Sequence, residues 1–386
     1  MNSIENITKI ITDTHLENIA LKKKINKCRS ILNASQSSEP IDPYQELIKF
    51  ITKHKIDSDY LKKFTIESAI ENGDSKIVEL LLKNNAIHNP GKKYHIIDAV
   101  KKNYVEIIKL LLMHGADIKE DFDSALRLAS RDGYTDIVKL LLGAGDNVHT
   151  MNNCSLRLAS EYGRVDIVQL LLDAGANVHS DDDYSLRWAS QNGHTSVVQL
   201  LLKNGANVHA VDDQALGWAS AHTDVVQLLL DAGANIHAGD DQALRWAAQN
   251  GRATTVQLLL KNGADVHANN DYALGWASEK GHTDVVQLLL EAGANANNIK
   301  ALGWSSQNGH TSIVQLLLKA GANVHDDDDY ALRWASRNGH ILIVKLLLEA
   351  GANVHAKNDY ALEHSSTNNH GDIVKLLNQY SVSSSV

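Results

Sequence analysis

Proline is almost missing from this chain of 386 residues, because its three prolines, Pro40, Pro43 and Pro90, all lie in the first 90 positions. Aromatic residues make up only 5%, and the two cysteines are Cys28 and Cys154. Two cysteines cannot form a disulfide framework or a four-thiolate metal site, so we expect a reducing, intracellular compartment. Beyond about residue 60 no composition change of the kind that separates domains occurs, which disfavours ordinary multidomain architecture.

Long apolar runs and a basic excess are missing too. The first 30 residues interrupt their isoleucines with Asn, Glu, Asp and Lys, so they have neither the apolar stretch of a signal peptide nor the length of a membrane span. The net charge is −9, and after residue 63 there are 26 Lys and Arg against 38 Asp and Glu. Because phosphate binding depends on Lys and Arg, we expect no nucleic-acid partner, and we expect no membrane partner either.

What the chain does contain is one segment repeated many times. The tripeptide Leu-Leu-Leu recurs every 30 residues, with two intervals of 28, and starts at residues 80, 110, 140, 170, 200, 228, 258, 288, 316 and 346. Residues 46–57 align with residues 106–117 without a gap, so a degenerate half unit extends the array toward the N-terminus.

Each unit predicts two short helices. In residues 181–210, we predict the first helix near Tyr184 to Gln191, after an Asp cluster suited to capping its free amides and before Asn192-Gly193, where glycine can be left-handed. The second is predicted over about Thr195 to Lys203, with an apolar band too wide for a free-standing surface helix. Neither helix is long enough to be stable alone, so the units must stack to bury their leucines.

Two recurring strings resemble the ankyrin repeat. They are Leu-x-x-Ala-x-x-x-Gly-His, as at residues 186–194, and Val-Val-x-Leu-Leu-Leu-x-x-Gly-Ala, as at residues 197–206. The resemblance implies an all-α solenoid of about ten to eleven stacked helix-turn-helix units. The usual Thr-Pro-Leu-His opening is replaced, by Tyr-Ser-Leu-Arg at residues 184–187 for example, and each unit is shorter than usual, so we expect blunt turns instead of extended fingers. The 30-residue units and the Asn-, Ile- and Lys-rich N-terminus are similar to the large ankyrin families of giant DNA viruses of amoebae.

The pattern also sets expected boundaries. We expect an N-terminal helical cap and linker at residues 1–43, the ankyrin-repeat array at 44–380 and a disordered tail at 381–386. One unit lacks two residues between Ser220 and His222, and the turn from Asn295 to Lys300 also lacks two. Because each deletion should alter the stacking locally, we predict weak joints near residues 221 and 298.

All the tryptophans occupy one position of the unit. Leu128 and Leu158 hold this position in earlier units, which favours packing within the array. A stacking surface for a peptide or for exposed bases is the alternative. The tryptophans are Trp188, Trp218, Trp246, Trp276, Trp304 and Trp334.

The residue before each tryptophan is either Arg or Gly. A glycine inside a helix costs about 1 kcal/mol relative to alanine, so Gly217, Gly275 and Gly303 indicate a need for space. A second interpretation is a concave face with alternating guanidinium groups that accept a partner's carboxylates. The arginines proposed for this role are Arg187, Arg245 and Arg333.

Histidines and aspartates recur around the turns. Stacked helices lie about 8–10 Å apart, whereas zinc ligands lie about 2.0 Å from the metal. Equivalent histidines of successive units therefore cannot easily share an ion, and we expect no metal and no cofactor. Aspartate favours turns and helix starts, which predicts a solvated capping row; if this row binds something, charge complementarity predicts a basic protein segment. The candidate acidic residues are Asp181, Asp182, Asp212, Asp240, Asp327 and Asp328.

These patterns favour a protein without enzyme activity. There is no Gly-rich phosphate loop after a strand and no Gly-x-Ser-x-Gly, and the abundant polar residues are periodic, whereas an active site needs one asymmetric constellation. The resemblance implies a scaffold that binds a partner protein on the solenoid surface, and we expect a monomer in the cytoplasm, that of a host cell if the chain is viral. One alternative is a substrate-recruiting adaptor for host ubiquitination machinery. The alternative from another class is a metal- or nucleic-acid-binding repeat protein.

Overall fold

A computed structural model describes residues 66–83, 95–114, 122–145 and 147–383. These parts of the chain are largely α-helical and contain no β-strand. The contacts divide the chain after Ala125 into two units, which are described separately. The predicted cap at residues 1–43 and the half unit at residues 46–57 lie outside the described residues.

The described residues of the N-terminal unit form two helix pairs. Helices α1 and α2 form the first pair, α3 and α4 form the second, and each helix also contacts its equivalent in the other pair. Ile70, Val78, Ile107 and Ile108 are buried between them. The bounds are α1 (Ile66–Asn72), α2 (Ser75–Lys83), α3 (His95–Lys101) and α4 (Val105–Met113).

The C-terminal unit repeats the same pair of helices, and the division at Ala125 falls inside the first helix of the series. The first helices of the pairs are α5 (Phe122–Asp132), α7 (Thr150–Glu161), α9 (Ser180–Gln191), α11 (Ala210–Trp218), α13 (Ala238–Gln249), α15 (Ala268–Lys280), α17 (Ile299–Gln307), α19 (Asp326–Arg337) and α21 (Ala356–Thr367). The second helices are α6 (Thr135–Gly143), α8 (Val165–Asp173), α10 (Thr195–Lys203), α12 (Thr223–Asp231), α14 (Ala253–Lys261), α16 (Thr283–Glu291), α18 (Thr311–Lys319), α20 (Ile341–Glu349) and α22 (Gly371–Ser383).

In the C-terminal unit the helices form two layers with the core between them. From α7 onward each first helix contacts the next first helix, and from α6 onward each second helix contacts the next second helix. Leu186, Ala189, Val197, Val198 and Leu201 are at most 1% exposed, and their equivalents in other pairs are buried in the same way. Burial of one such leucine stabilises by about 1.5–3 kcal/mol, and it requires a neighbouring pair on each side. The predicted all-α stack is therefore confirmed.

The helix ends also follow the sequence pattern. Helix α10 covers Thr195–Lys203, and α9 ends at Gln191 before Gly193, whose φ is +72°. At the C-terminus, α22 continues to Ser383, so residues 381–383 are helical and do not belong to a disordered tail.

The two shortened units absorb their deletions in different places. Near residue 221, a 3-10 turn at Ala219–Ala221 replaces the end of the first helix, and His222 is extended with φ −125°. In the other unit the turn loses residues, and the Asn298 side chain caps α17 by accepting hydrogen bonds from the backbone N–H groups of Lys300 and Ala301 at 3.0 and 3.2 Å. The weak joints near residues 221 and 298 remain a prediction.

Candidate functional site

The turns before most first helices contain three successive residues in the left-handed conformation. Before the right-handed part of α9 these are Asp181, Asp182 and Asp183, with φ of 57°, 52° and 54°. Aspartate and asparagine tolerate this region better than other residues that carry a side chain. The backbone of the turns therefore accounts for their high content of Asp and Asn. Equivalent segments are 151–153, 211–213, 239–241, 269–271, 327–329 and 357–359.

The prediction that these aspartates cap the first helices was wrong. In the turn of α9, no carboxylate accepts a backbone N–H of its own helix: Asp183 bonds to the next turn and to His179, Asp181 pairs with Arg157, and Asp182 has no side-chain partner in the described structure. Three left-handed residues turn the chain so that the third carboxylate lies against the next turn.

In six of the seven left-handed segments the third residue joins successive turns; in the last segment, Asp359 contacts only His355 among the described residues. Asp183 is only 4% exposed, and its Oδ1 accepts a hydrogen bond from the backbone N–H of Asn207 at 2.7 Å. The same oxygen lies 3.2 Å from His179 Nδ1. Because the donor is two dozen residues away, this bond fixes the spacing between units. Equivalent bonds join Asn153 to Asn177, Asp213 to Asn235, Asp241 to Asp265, Asp271 to Asn295, Asn297 to Asn323 and Asp329 to Asn353.

These third residues were not among the sequence candidates, although a signal was present. The first residue of the segments varies widely, from Met151 and Val211 to Gly239, whereas the second and third are always Asp or Asn. The sequence therefore marks two positions of the turn, and only the hydrogen bonds show that the third is the acceptor. In the shortened turn, Asn297 supplies the acceptor instead, so the series of bonds continues through the deletion.

The candidate arginines bind the backbone of their own turns. Arg187 donates from Nε to the carbonyl of Asp182 at 2.9 Å and from Nη2 to the carbonyl of Asp181 at 2.8 Å. Arg245 and Arg333 make the same pair of bonds, and Arg333 is buried. A bidentate guanidinium of this kind holds the left-handed turn, so truncation of these arginines would alter the turns as well as any partner contact.

Two of the three glycines at the arginine position provide space for a side chain of the next unit. A Cβ on Gly217 would lie 2.6 Å from Gln242 Oε1, and one on Gly303 would lie 2.9 Å from Tyr330 Cδ1. At Gly275 the nearest atoms, in Asn298 and Lys300, would be at ordinary contact distance. Gly217 and Gly303 thus allow the close approach of a side chain from the following turn.

Both groups of histidines bond within the repeat structure. His194 lies over Gly163, and its Nε2 is 2.9 Å from the carbonyl oxygen of Glu161 in the preceding first helix. The same bond is made by His222, His282, His310, His340 and His370. The turn histidines face the third carboxylate of their segment through Nδ1, as in His179, His209, His237, His267, His325 and His355.

The tryptophans line one side of the first helices, which we call the first-helix face. All of them are half-buried, so they are neither core residues nor freely exposed ones. Trp188 and Trp218 meet edge-on with ring centroids 5.5 Å apart, and Trp276 and Trp304 do so at 6.1 Å. Successive units therefore place large aromatic rings side by side along this face.

Tyrosines one turn before the tryptophans extend the aromatic surface. The Tyr184 ring stacks on Trp188 at 5.4 Å, and its hydroxyl donates to Glu161 at 3.3 Å. Burial, together with the negative charge of Glu161, raises the pKa of Tyr184 above its usual value. Burial likewise raises the pKa of Tyr330. Both phenols keep their proton throughout the physiological range.

The candidate aspartates lie on a second surface, formed by the turns, which we call the turn edge. Asp181, Asp182, Asp212, Asp240, Asp327 and Asp328 are all exposed there. Asp327 pairs with Arg333 and Asp328 pairs with Lys357. The carboxylates of Asp182, Asp212 and Asp240 make no hydrogen bond or ion pair with any described residue, so they contribute an unneutralised negative charge to the turn edge.

Neither a metal-binding cluster nor a membrane-spanning helix occurs among the described residues. The described part of the chain has no group of three or more His, Cys, Asp and Glu side chains placed to hold a metal ion. Within those residues, no helix is both long enough and apolar enough to cross a membrane. Cys154 is a free thiol, half-buried at the start of the right-handed part of α7.

Stacked helix pairs with left-handed turns define an all-α repeat protein, and the family comparison agrees. A family model of ankyrin repeats matches residues 96–182, 156–240, 186–270, 244–328 and 302–385, which together cover most of the chain. The chain belongs to the ankyrin-repeat family. Ankyrin repeats are protein–protein interaction modules, and proteins built from them are typically scaffolds without enzyme activity. A comparison with curated proteins gave no significant match.

Proposed function

We propose that this protein is a non-enzymatic scaffold that holds a partner protein on the exposed surface of its repeat array. The observation that carries this proposal is the row of half-buried tryptophans on the first-helix face, from Trp188 to Trp334. Tryptophan is enriched where proteins bind one another, since a ring that is half-buried in the free protein still has apolar surface to bury.

The turn edge supplies charge beside this aromatic face. Its exposed carboxylates favour a basic segment of the partner, because complementary charge speeds encounter and selects orientation. The arginines Arg187, Arg245 and Arg333 lie between the two surfaces and keep the turns in place. In this proposal the partner's apolar side chains contact the first-helix face and its basic side chains contact the turn edge.

We also propose an intracellular location and a monomeric state, together with an origin in the ankyrin families of giant DNA viruses. The reducing compartment is favoured by the low cysteine content and by the free thiol of Cys154. Cell fractionation would test the location, and light scattering of the purified chain would test the oligomeric state.

The experiment replaces tryptophan by the residue that other units already use. Trp218→Leu and Trp304→Leu should leave the fold intact, because leucine occupies this position at Leu128 and Leu158. Proteins captured from lysate by the wild-type chain would be identified by mass spectrometry and compared with those captured by the double variant. We expect the specific partner to be lost from the variant.

The control uses the opposite layer. Gln199→Ala and Gln257→Ala alter exposed residues of second helices α10 and α14, so they should leave capture unchanged. Circular dichroism would confirm that all variants are folded. Equal capture by the wild-type chain and the tryptophan variant would refute binding at the first-helix face.

A further inference from the structure

One cluster on the first-helix face differs from the rest of the array. It consists of Tyr272, Trp276, Lys280, Lys300 and Trp304, and we call it the lysine-aromatic cluster. The ammonium of Lys300 lies 4.9 Å from the ring centre of Tyr272 and 5.3 Å from that of Trp304. The ammonium of Lys280 lies 5.5 Å from the ring of Trp276. Two cations and three aromatic rings thus occupy two adjacent units.

Lys300 differs from the arginines of this face because its ammonium lies over aromatic rings without a hydrogen bond or ion pair to any described residue. Arg187, Arg245 and Arg333 instead donate to turn carbonyls. Lys280 forms an ion pair only with the neighbouring Glu279. A half-buried ammonium between aromatic rings still has N–H groups that can donate hydrogen bonds to an incoming anion.

The negative charge of the turn edge is interrupted at the same place. The turn at Asp240 is acidic, and so is the segment 326–328. Between them, the turn before α15 has one exposed carboxylate, Asp265, and the turn of residues 295–298, just before Lys300, has no acidic residue. The lysine-aromatic cluster therefore lies beside a neutral gap of one turn, where the turn edge adds no negative charge that would oppose an anion.

We propose that the lysine-aromatic cluster anchors a protein segment through a carboxylate. The segment carries Asp or Glu next to an apolar side chain at its centre, with basic residues on both sides that face the acidic turns at Asp240 and at residues 326–328. This inference rests on the proposed function and names the chemistry of the partner. A single strand of nucleic acid fits less well, because it carries a phosphate at every nucleotide. Its backbone would extend beyond the neutral gap, where the acidic turns on each side would repel the phosphates.

The first test compares two fluorescent peptides of identical composition. One has glutamates around a central phenylalanine and lysines at both ends, and the other has the reverse order. Fluorescence anisotropy with the full chain should show tighter binding of the peptide with the acidic centre, by about fivefold, the ratio given by one exposed ion pair. Equal binding, or tighter binding of the reversed peptide, would overturn the proposal, as would an oligothymidylate that binds more tightly than either.

The second test removes the Lys300 cation. Lys300→Gln installs the residue found at the same unit position in Gln214 and Gln242, so the fold should be retained. We expect it to abolish the preference for the acidic centre. The matched control is Gln242→Glu, which changes the net charge by the same amount one pair away from the cluster and should leave that preference largely unchanged.

The outcomes separate this inference from the proposed function. If the tryptophan variants lose the captured partner while Lys300→Gln has no more effect than Gln242→Glu, the scaffold function stands and the carboxylate anchor is wrong. If the peptide preference depends on Lys300, the anchor is supported whether or not a cellular partner has been captured.

Discussion

The hydrogen bond between successive turns can be tested at Asp183. This carboxylate is buried and accepts from the Asn207 backbone N–H at 2.7 Å, and its own φ is +54°. A hydrogen bond to a charged group contributes about 1.5–3 kcal/mol. A left-handed alanine costs about 1–2 kcal/mol that glycine does not. Two substitutions can therefore separate the bond from the backbone conformation.

Asp183→Gly should remove the bond without backbone strain, at a cost of about 1.5–3 kcal/mol. Asp183→Ala removes the same bond and adds the left-handed penalty. The glycine variant also loses about 0.4–1 kcal/mol of stability because glycine makes the unfolded chain more flexible. We therefore expect Asp183→Ala to be less stable than Asp183→Gly by about 1 kcal/mol.

Asp183→Asn tests the acceptor itself. In the unit before, Asn153 already makes this bond, and its amide also donates to Ser180 Oγ at 2.6 Å. Position 210, the equivalent of Ser180, is alanine, so the new amide would have no such partner. Asp183→Asn alone should cost about 1–2 kcal/mol, and adding Ala210→Ser should recover most of that loss.

Native-state hydrogen exchange is the suitable assay, because long repeat arrays do not unfold as a two-state system. The opening free energy of the segment that carries Asn207 would be compared among the variants. Equal opening free energies for Asp183→Gly and Asp183→Ala would refute the claim that a left-handed alanine is strained at this position. If Asp183→Gly gave the same value as the wild type, the bond between turns would not stabilise the array.

The remaining predictions concern packing, pH and the shortened units. Gly303→Ala should lower stability by about 1–3 kcal/mol in denaturant titration, because its Cβ would lie 2.9 Å from Tyr330, whereas Gly275→Ala has room and should raise stability by up to about 1 kcal/mol; equal effects would exclude a steric cause. Because burial raises the pKa of Tyr184, the folded state keeps this proton after the unfolded state has lost it, so stability should be unaffected below about pH 10 and fall above it. Tyr184→Phe should make that alkaline fall shallower, and an unchanged slope would contradict the assignment. Limited proteolysis should cut first near residues 221 and 298, and uniform cleavage of all turns would count against weak joints.

Most of the fold could be predicted from the sequence, because the patterns that specify the helices are local and recur in every repeat unit. The interval between Leu-Leu-Leu tripeptides predicted the length of the repeat unit. The glycine after Asn192 predicted where the first helix ends, and the apolar band from Val197 predicted which face of the second helix is buried. Each of these features depends on residues within a few turns of helix, so one sequence was enough to predict the two-layer stack.

The roles of the polar residues were decided by the tertiary structure. A helix cap and a left-handed turn both favour aspartate, so composition could not distinguish them, and only the N–H of Asn207 in the following turn shows what Asp183 binds. In the same way, Arg187 meets the carbonyls of a turn whose conformation its own sequence does not reveal. The position of Lys300 over the Tyr272 ring was likewise decided by the tertiary structure, because these two side chains belong to different units and meet only after the units stack.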